Sequence, residues 1–364
     1  MNLLFYLGHP AQYHFFKFTI RRLEENGHQI KILIKTKDIL ENLLKEDGLE
    51  YENIQVTPRK NKKYSIVFAS IQRFFKVYSI AKRFKADILI GTDSSIAQAA
   101  WLLRKYAITT LEDDYDVIRN LARLTYPFTN SIVVPEPCSV GKWEEKKIPY
   151  YGYMKLAYLH PDYFVPSIEV VHSYGIKNDY VLIRLAKLAA HHDVGIKGLN
   201  LSLVHSIIRM IKERGFDVYI SSEVELDSSL TQYQLKIRYS DIHHIMAFAS
   251  MLISDSQSMS VESSMLGVPS LRFSDFAGRI SVLEELEDKY GLTFGIETSE
   301  PDKLLDRISF LLSLPNIRSE FQKRREIMLS DRINVTKFMT WFIEMYPNSH
   351  KCIKENPDYQ LRFR

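Results

Sequence analysis

A run of small hydroxyl residues follows an apolar segment between Ser254 and Pro269. Ser256, Ser258 and Ser260 lie in this run, and Glu262 follows within the first turns of a predicted helix. The open amides of a helix N-terminus attract a diphosphate, and serine hydroxyls add hydrogen-bond donors. The pattern therefore indicates a nucleotide site in which Glu262 accepts from ribose hydroxyls. An ordinary helix whose cap is completed by Glu262 explains the same pattern equally well.

A second polar segment, residues 190–198, contains His192, Asp193 and Lys197. Asp193 can hold an imidazole in one tautomer, and Lys197 can meet a phosphate. Arg184, at the end of the preceding predicted strand, is a further candidate to bind a phosphate. Adjacent residues on one loop do not converge easily on one ion, and no distant third ligand is marked, so we predict no metal site. A solvated polar loop is the alternative interpretation.

The first half of the chain carries residues suited to acid–base chemistry. His9 and His14 follow the first predicted strand, and an imidazole that titrates at about pH 6.5 can act as a general base. Asp93 follows a later strand, and the acidic run 112–114 follows the next one. Carboxylates near a histidine act as bases or as orienting groups. Helix capping and packing remain the alternatives for each of them.

The elements that must position these residues alternate between short apolar strands and helices. Residues 3–7, 11–26 and 29–34 have the pattern of a strand, a helix and a strand, which forms a parallel βαβ unit. The alternation continues to residue 134 and begins again at Tyr180. We therefore predict an α/β protein with two Rossmann-like lobes and an interlobe cleft. The polar loops then follow the carboxyl ends of strands, where such sheets bind ligands.

A chain of 364 residues is long enough for two domains. We place an N-terminal, acceptor-side lobe at 1–155, a C-terminal, donor-side lobe at 156–340 and a tail at 341–364. Aromatic residues, prolines and glycines accumulate over 149–178, which predicts the linker. The end of the chain has helical spacing, and a C-terminal helix could cross back to the first lobe.

Composition limits the partners and the compartment. A net charge of +4 is small for this length, so nucleic acid is not an expected partner. The two cysteines, Cys138 and Cys352, lack CxxC spacing and fit free thiols in a reducing compartment. We find neither a signal peptide nor a membrane-spanning stretch, and we expect a cytoplasmic protein.

The segment Arg59 to Lys85 contains nine lysines or arginines, no acidic residue and several aromatic residues. This composition predicts a basic amphipathic helix that contacts the inner membrane surface, or a lipid-linked acceptor. A lobe-surface helix with a solvated basic face explains the composition at least as well.

Several short segments together resemble one family, the DUF354 proteins, which are similar to the two-Rossmann-lobe glycosyltransferases (GT-B) and UDP-GlcNAc 2-epimerases. The resemblance rests on the order and spacing of the segments. It is imperfect at Ser263, where the family has alanine, and at 254–257, which replaces a glycine-rich loop and is closer to the epimerase pattern. The matching segments begin with residues 9–10, 14–17, 26–28, 124–128 and 156–161, and continue with 192–195, 197–199, 222–223, 242–244, 258–262, 266–269 and 290–292.

The resemblance implies a glycosyltransferase that transfers sugar from a nucleotide-activated donor, a UDP-sugar, to a glycan or lipid-linked acceptor in surface polysaccharide or glycolipid biosynthesis. It adds Ser222, Glu223 and His243 to the donor-binding residues. His9, His14 or Asp93 would act as the base in the first lobe. No metal or cofactor is implied, because helix dipoles and basic side chains can stabilise the leaving diphosphate.

Two alternatives remain open. In a non-hydrolysing UDP-GlcNAc 2-epimerase, Asp93, Glu112 and His191 or His192 would supply the acid and base groups. A binding protein that has kept the fold and lost the chemistry is the other alternative.

Overall fold

The computed structural model describes residues 1–36, 39–55, 63–185, 198–222 and 225–364, with residues 63–68 described by their backbone only. It divides into two compact units. Unit 1 comprises Met1–Tyr163 and Arg332–Arg364, and unit 2 comprises Phe164–Asp331. Some of the predicted site residues lie outside the described residues, namely His191, His192, Asp193, Lys197 and Glu223, as do residues 59–62 of the basic segment.

Unit 1 is built on parallel strands connected by helices. Its strands are β1 (Asn2–Leu7), β2 (Gln29–Lys35), β3 (Glu52–Gln55), β4 (Ile88–Gly91), β5 (Tyr106–Thr110), β6 (Ser131–Pro135) and β7 (Lys147–Tyr150). Its first six helices are α1 (Pro10–Glu25), α2 (Leu40–Glu46), α3 (Lys63–Phe84), α4 (Ser94–Leu103), α5 (Arg119–Thr125) and α6 (Leu156–Leu159).

The seven strands form one sheet in the order β3-β2-β1-β4-β5-β6-β7. Every pair of neighbouring strands is parallel. The order reverses between β1 and β4, and in open α/β sheets ligands bind beside such a reversal. The residues that follow β1 and β4 therefore lie at the edge where a ligand is expected. These residues include His9 and Asp93.

Unit 2 has a second parallel sheet. Its strands are β8 (Tyr180–Leu185), β9 (Asp217–Ser222), β10 (Met251–Ser254), β11 (Ser270–Phe273) and β12 (Thr293–Ile296). The order is β12-β11-β10-β8-β9, so the reversal lies between β8 and β10. Its helices are α7 (Ile168–Ser173), α8 (Leu201–Glu213), α9 (Ile242–Phe248), α10 (Gln257–Met265), α11 (Ser281–Asp288), α12 (Pro301–Ser313) and α13 (Ile317–Asp331).

The chain ends in unit 1, where α14 (Val335–Glu344) packs against α1 and α6 and is followed by α15 (Asn348–Glu355). The hydroxyl of Thr336 donates to the carbonyl of Ala157 at 2.7 Å. Gly152 lies so close to this segment that a Cβ there would be 2.6 Å from Val335 Cγ2.

The division into units differs from the predicted boundaries at 155 and 340. Tyr150 and Tyr153, in the aromatic stretch that resembles a linker, are fully buried. The chain belongs to unit 1 as far as Tyr163. Two parallel sheets with interleaved helices confirm the predicted α/β class and its two Rossmann-like lobes. Among the residues described, no helix is long and apolar enough to cross a membrane.

Candidate functional site

The start of α10 follows directly on the carboxyl end of β10. Ser256 is the N-cap, and its hydroxyl accepts from the amide of Met259 at 3.4 Å, while its own amide donates to Ser254 Oγ at 2.8 Å. Ser258 is exposed. Ser260 is fully buried, and its hydroxyl donates to the carbonyl of Ser256 at 3.1 Å. The Ser260 hydroxyl is therefore used within the helix, and Ser256 and Ser258 are the serines of this run that can contact a ligand.

Glu262 lies one turn beyond Ser258 on the same helix, and residues four apart share a helix face. Its carboxylate is 3.5 Å from Nε2 of His243, which α9 places against α10. The two side chains keep only 13% and 10% of their surface exposed, respectively. The structure thus brings together Ser258, Glu262 and His243, three of the residues predicted to bind the nucleotide.

The neighbouring His244 belongs to the packing of unit 2. Its Nδ1 accepts from the amide of Ser167 at 3.0 Å, and the Phe164 ring lies 4.8 Å from its ring centroid. Burial lowers the pKa of His244, so we expect this imidazole to be neutral. A neutral ring that accepts a backbone amide orients the polypeptide and is not a phosphate ligand.

Arg184 lies near the carboxyl end of β8, level with Ser221 on β9 and Ser254 on β10. Residues in register on neighbouring strands project from the same face of a sheet. One guanidinium nitrogen of Arg184 donates to Ser221 Oγ at 2.7 Å. Ser222, the last residue of β9, follows at the same edge. The predicted phosphate ligand Arg184 is therefore near the strand reversal of unit 2.

The same row continues to Arg272 on β11, which is level with Ser254 and is fully buried. Its guanidinium donates to Gln257 Oε1 at 3.2 Å and to Glu287 Oε2 at 3.1 Å. Burial lowers the pKa of Arg272 and raises the pKa of Glu287. Because Gln257 is the first residue of α10, Arg272 connects the start of α10 to α11.

Gly295 lies beside the buried pair of Arg272 and Glu287. Its amide donates to Glu287 at 2.8 Å, and a Cβ at this position would be 2.8 Å from Arg272 Nη2. The missing side chain leaves the volume that the guanidinium fills. Sequence reasoning missed Arg272, although a charged residue within the apolar strand Ser270–Phe273 is a visible signal of a buried polar partner.

In unit 1, His9 is exposed and caps α1. Its Nδ1 accepts from the amide of Ala11 at 3.2 Å. In a neutral imidazole this bond assigns the proton to Nε2, so Nε2 is a donor. The arrangement suits His9 to hydrogen-bond donation more than to accepting a proton.

His14 lies further along α1 and is half-buried. Its ring stacks on Tyr158 with centroids 5.0 Å apart and planes inclined by 30°, and meets the Tyr13 ring edge-on at 5.0 Å. Two aromatic neighbours restrict the orientation of the imidazole. Of the two predicted histidines, His14 has the geometry better suited to a general base.

Asp93 is the N-cap of α4, and both of its carboxylate oxygens are engaged. One accepts from the amide and the hydroxyl of Ser95 at 3.0 and 2.7 Å, and the other accepts from the buried Arg73. Burial alone would lower the pKa of Arg73, but the charge of Asp93 and the interaction with Tyr6 together outweigh burial and raise the pKa. With both oxygens engaged, the carboxylate is fixed in place, and this suits an orienting group.

The acidic run after β5 is also tied into the fold. Glu112 accepts from the amide of Met154 at 2.8 Å and from the buried Lys155 at 2.7 Å. Asp114 is buried and accepts from the amide of Ser139 at 2.7 Å. Asp113 alone of the three is exposed. Within the described ranges, no three His, Cys, Asp or Glu residues are arranged to hold a metal ion.

No family model and no curated protein matches this chain. Solved structures do match it over almost its whole length. The S. aureus MnaA–UDP complex is 11% identical, with 96% of this chain and 97% of that one covered and a TM-score of 0.69.

The UDP-GlcNAc 2-epimerase of Neisseria meningitidis, bound to UDP-GlcNAc, is 16% identical, with 91% and 99% covered and a TM-score of 0.60. The glycosyltransferase of kitacinnamycin is 12% identical, with 94% and 98% covered and a TM-score of 0.59. At these identities the similarity shows the fold, and the chain has the two-lobed α/β fold of GT-B-like UDP-GlcNAc 2-epimerases.

Proposed function

We propose that this protein is a glycosyltransferase that uses a nucleotide-activated sugar, a UDP-sugar, as its donor. One observation carries the proposal. The start of α10 presents Ser256 and Ser258 at the carboxyl edge of β10, beside the His243–Glu262 pair. A helix N-terminus favours a diphosphate, and a carboxylate held by an imidazole favours ribose hydroxyls. The fold is shared with proteins solved with UDP and UDP-GlcNAc.

In this proposal unit 2 binds the donor. The diphosphate lies at the start of α10 and is met by Arg184, and Glu262 accepts from the ribose. His192, Asp193 and Lys197, together with Ser222 and Glu223, are the further donor ligands that the sequence predicts.

The transfer step needs a base for the acceptor hydroxyl and stabilisation of the leaving diphosphate. We assign the base to His14, with His9 as a hydrogen-bond donor and Asp93 as an orienting group. Serine hydroxyls, backbone amides and Arg184 supply donors to the diphosphate, so a metal ion is not required. The acceptor is a glycan or a lipid-linked sugar of surface polysaccharide or glycolipid biosynthesis, and the reaction is cytoplasmic. We also propose that the chain is related to the DUF354 proteins that its sequence resembles.

A UDP-GlcNAc 2-epimerase is the second candidate, because enzymes of that activity share the fold. Epimerisation needs groups that remove and return a proton on the sugar. Asp93 and Glu112, the two acidic candidates, are held by Arg73 and Lys155. Both carboxylates are already held in ion pairs with buried cations, and this supports the transferase.

Nucleotide binding is the first test. UDP at ten times its Kd is expected to add about 1.4 kcal/mol to the free energy of unfolding and to raise the Tm by about 2 °C. The measurement is a thermal-shift series with UDP, GDP, CMP, ADP and dTDP and their sugar derivatives. If none of them moves the transition, the protein does not handle a nucleotide sugar.

The product separates the two reactions. Incubation with UDP-GlcNAc alone should leave the donor unchanged, whereas the appearance of its 2-epimer would identify an epimerase and contradict the transferase. With a suitable acceptor present, turnover should continue in EDTA, because the proposed diphosphate ligands are protein groups.

Glu262→Ala is expected to weaken UDP binding about tenfold, since a hydrogen bond to a charged group contributes about 1.5 kcal/mol. Titration calorimetry measures the change. Glu213→Ala, at an exposed glutamate of the same unit, is the matched control and should bind like the wild type. Equal affinity in both variants would remove Glu262 from the nucleotide site.

A further inference from the structure

Three helices lie side by side on one face of the unit 1 sheet. α3 and α4 pack against each other, and α4 packs against α5. Side chains from α3 and α4 share one buried cluster with β1, β2, β4 and β5. Gln98 of α4 donates to the carbonyl of Leu124 in α5 at 3.1 Å. The outward sides of α3, α4 and α5 therefore form one continuous surface, which we call the basic face.

The basic face carries cations and no anions on its helices. None of the residues 63–84, 94–103 and 119–125 is Asp or Glu. One of the basic residues, Arg73, is buried and paired with Asp93, so its charge is balanced inside unit 1 and does not contribute to the surface. The exposed cations on these helices are Lys76, Lys82, Arg83, Arg119 and Arg123, and Arg104 and Lys105 directly follow α4. Arg119 is paired with Asp116 and Lys105 with Asp87, so the other five supply the positive charge of the face. A chain with a net charge of only +4 thus concentrates positive charge on one surface.

Large apolar side chains are exposed on the same surface. Ile71 is 49% exposed, Phe75 61%, Trp101 62%, Leu102 51% and Leu124 56%. Clustered exposed apolar residues mark an interaction surface. An aromatic and aliphatic surface surrounded by lysine and arginine matches the interface of a bilayer, where apolar side chains enter the acyl boundary and cations meet lipid phosphates.

We propose that the basic face docks on the surface of a bilayer that contains anionic lipids. Charge complementarity selects an anionic partner, and the exposed Trp101, Phe75 and Leu124 select one with an apolar layer beneath the charge. This inference extends the contact predicted for residues 59–85 to α4 and α5. It does not depend on the proposed transferase reaction, because it concerns a surface and not the nucleotide site.

Flotation with phosphatidylglycerol–phosphatidylcholine vesicles tests the docking. The wild-type protein should bind these vesicles, should release them as salt is raised, and should bind pure phosphatidylcholine far more weakly. Replacing Lys82 and Arg83 with glutamine should lower the partition constant about 25-fold, or about fivefold for each cation. Trp101→Ser should lower it about tenfold through lost apolar burial.

Matched controls come from unit 2, where Phe310→Ser removes an apolar side chain that is 53% exposed and Lys236→Gln removes an exposed cation. Both should bind vesicles like the wild type. Equal binding to neutral vesicles, unchanged binding by the Lys82/Arg83 and Trp101 variants, or tighter binding to duplex DNA than to vesicles would overturn the proposal. The Tm and the circular dichroism spectrum verify the fold of each variant. If a variant does not fold, the dependence of wild-type binding on lipid composition and salt decides whether the proposal stands.

Discussion

Replacing Arg272 with methionine is expected to lower the free energy of unfolding by about 3 kcal/mol at neutral pH, because the change leaves Glu287 without its cation. The expected value is at the low end for a broken buried pair, since Glu287 keeps 26% of its side chain exposed. The change also removes the hydrogen bond from Arg272 to Gln257 at the start of α10, so the affinity for UDP should fall as well. Denaturant unfolding and calorimetry measure the two effects.

The destabilisation should depend on pH in a defined direction. Burial already raises the pKa of Glu287 in the folded protein, and loss of Arg272 raises it further. A carboxyl whose folded pKa lies above its unfolded value costs stability above the folded pKa, and this cost is relieved as the pH falls through it. The difference in stability between wild type and variant should therefore narrow as the pH is lowered from neutral through the raised pKa of Glu287.

Arg279→Met is the control for Arg272→Met, because Arg279 is an exposed arginine of the same unit. It should leave both stability and UDP affinity unchanged. A loss of less than about 1 kcal/mol in Arg272→Met, or a loss that is constant with pH, would mean that the buried pair does not stabilise the fold, and an unchanged UDP affinity would mean that it does not position α10.

His14→Ala is expected to lower kcat of the proposed transferase about 100-fold and to leave KM for the donor nearly unchanged, since general acid–base catalysis contributes at least this factor. The acidic limb of the pH profile, which reports the titrating base, should disappear. His14→Gln should show the same loss, because it keeps polarity and removes basicity.

Tyr158→Leu should lower kcat by a smaller factor, because it removes the ring on which His14 stacks and not the base itself. His172→Ala, at an exposed histidine of α7, should have normal kinetics. A higher KM with an unchanged kcat in His14→Ala would assign His14 to binding.

Local patterns in the sequence predicted most of the strands. β1, β8 and β10 are short apolar runs between turn residues, and parallel strands buried on both faces have this pattern. The pattern fails for β12, which is short and contains Gly295. It also fails over residues 149–163. The aromatic residues there have the irregular spacing that is typical of a linker, but tertiary packing, which the spacing does not reveal, buries them.

The candidate site was less accessible to sequence reasoning. The carboxyl ends of strands indicated where Ser256, Asp93 and His9 would lie. The partners that define what these groups can do are distant in sequence. Asp93 pairs with Arg73, 20 residues away, and Glu112 pairs with Lys155, 43 residues away. No local spacing indicates such pairs, so a carboxylate that stabilises the fold looks like a catalytic one.

Unit 2 is continuous in sequence, whereas unit 1 is completed by a segment that begins only at Arg332. During synthesis on the ribosome, α1 emerges long before α14, the helix that packs against it. Unit 2 can therefore fold while unit 1 still lacks its last segment, and chaperones would bind the incomplete unit 1. The same order makes residues 164–331 the piece to express alone, while a chain stopped at Tyr163 should aggregate.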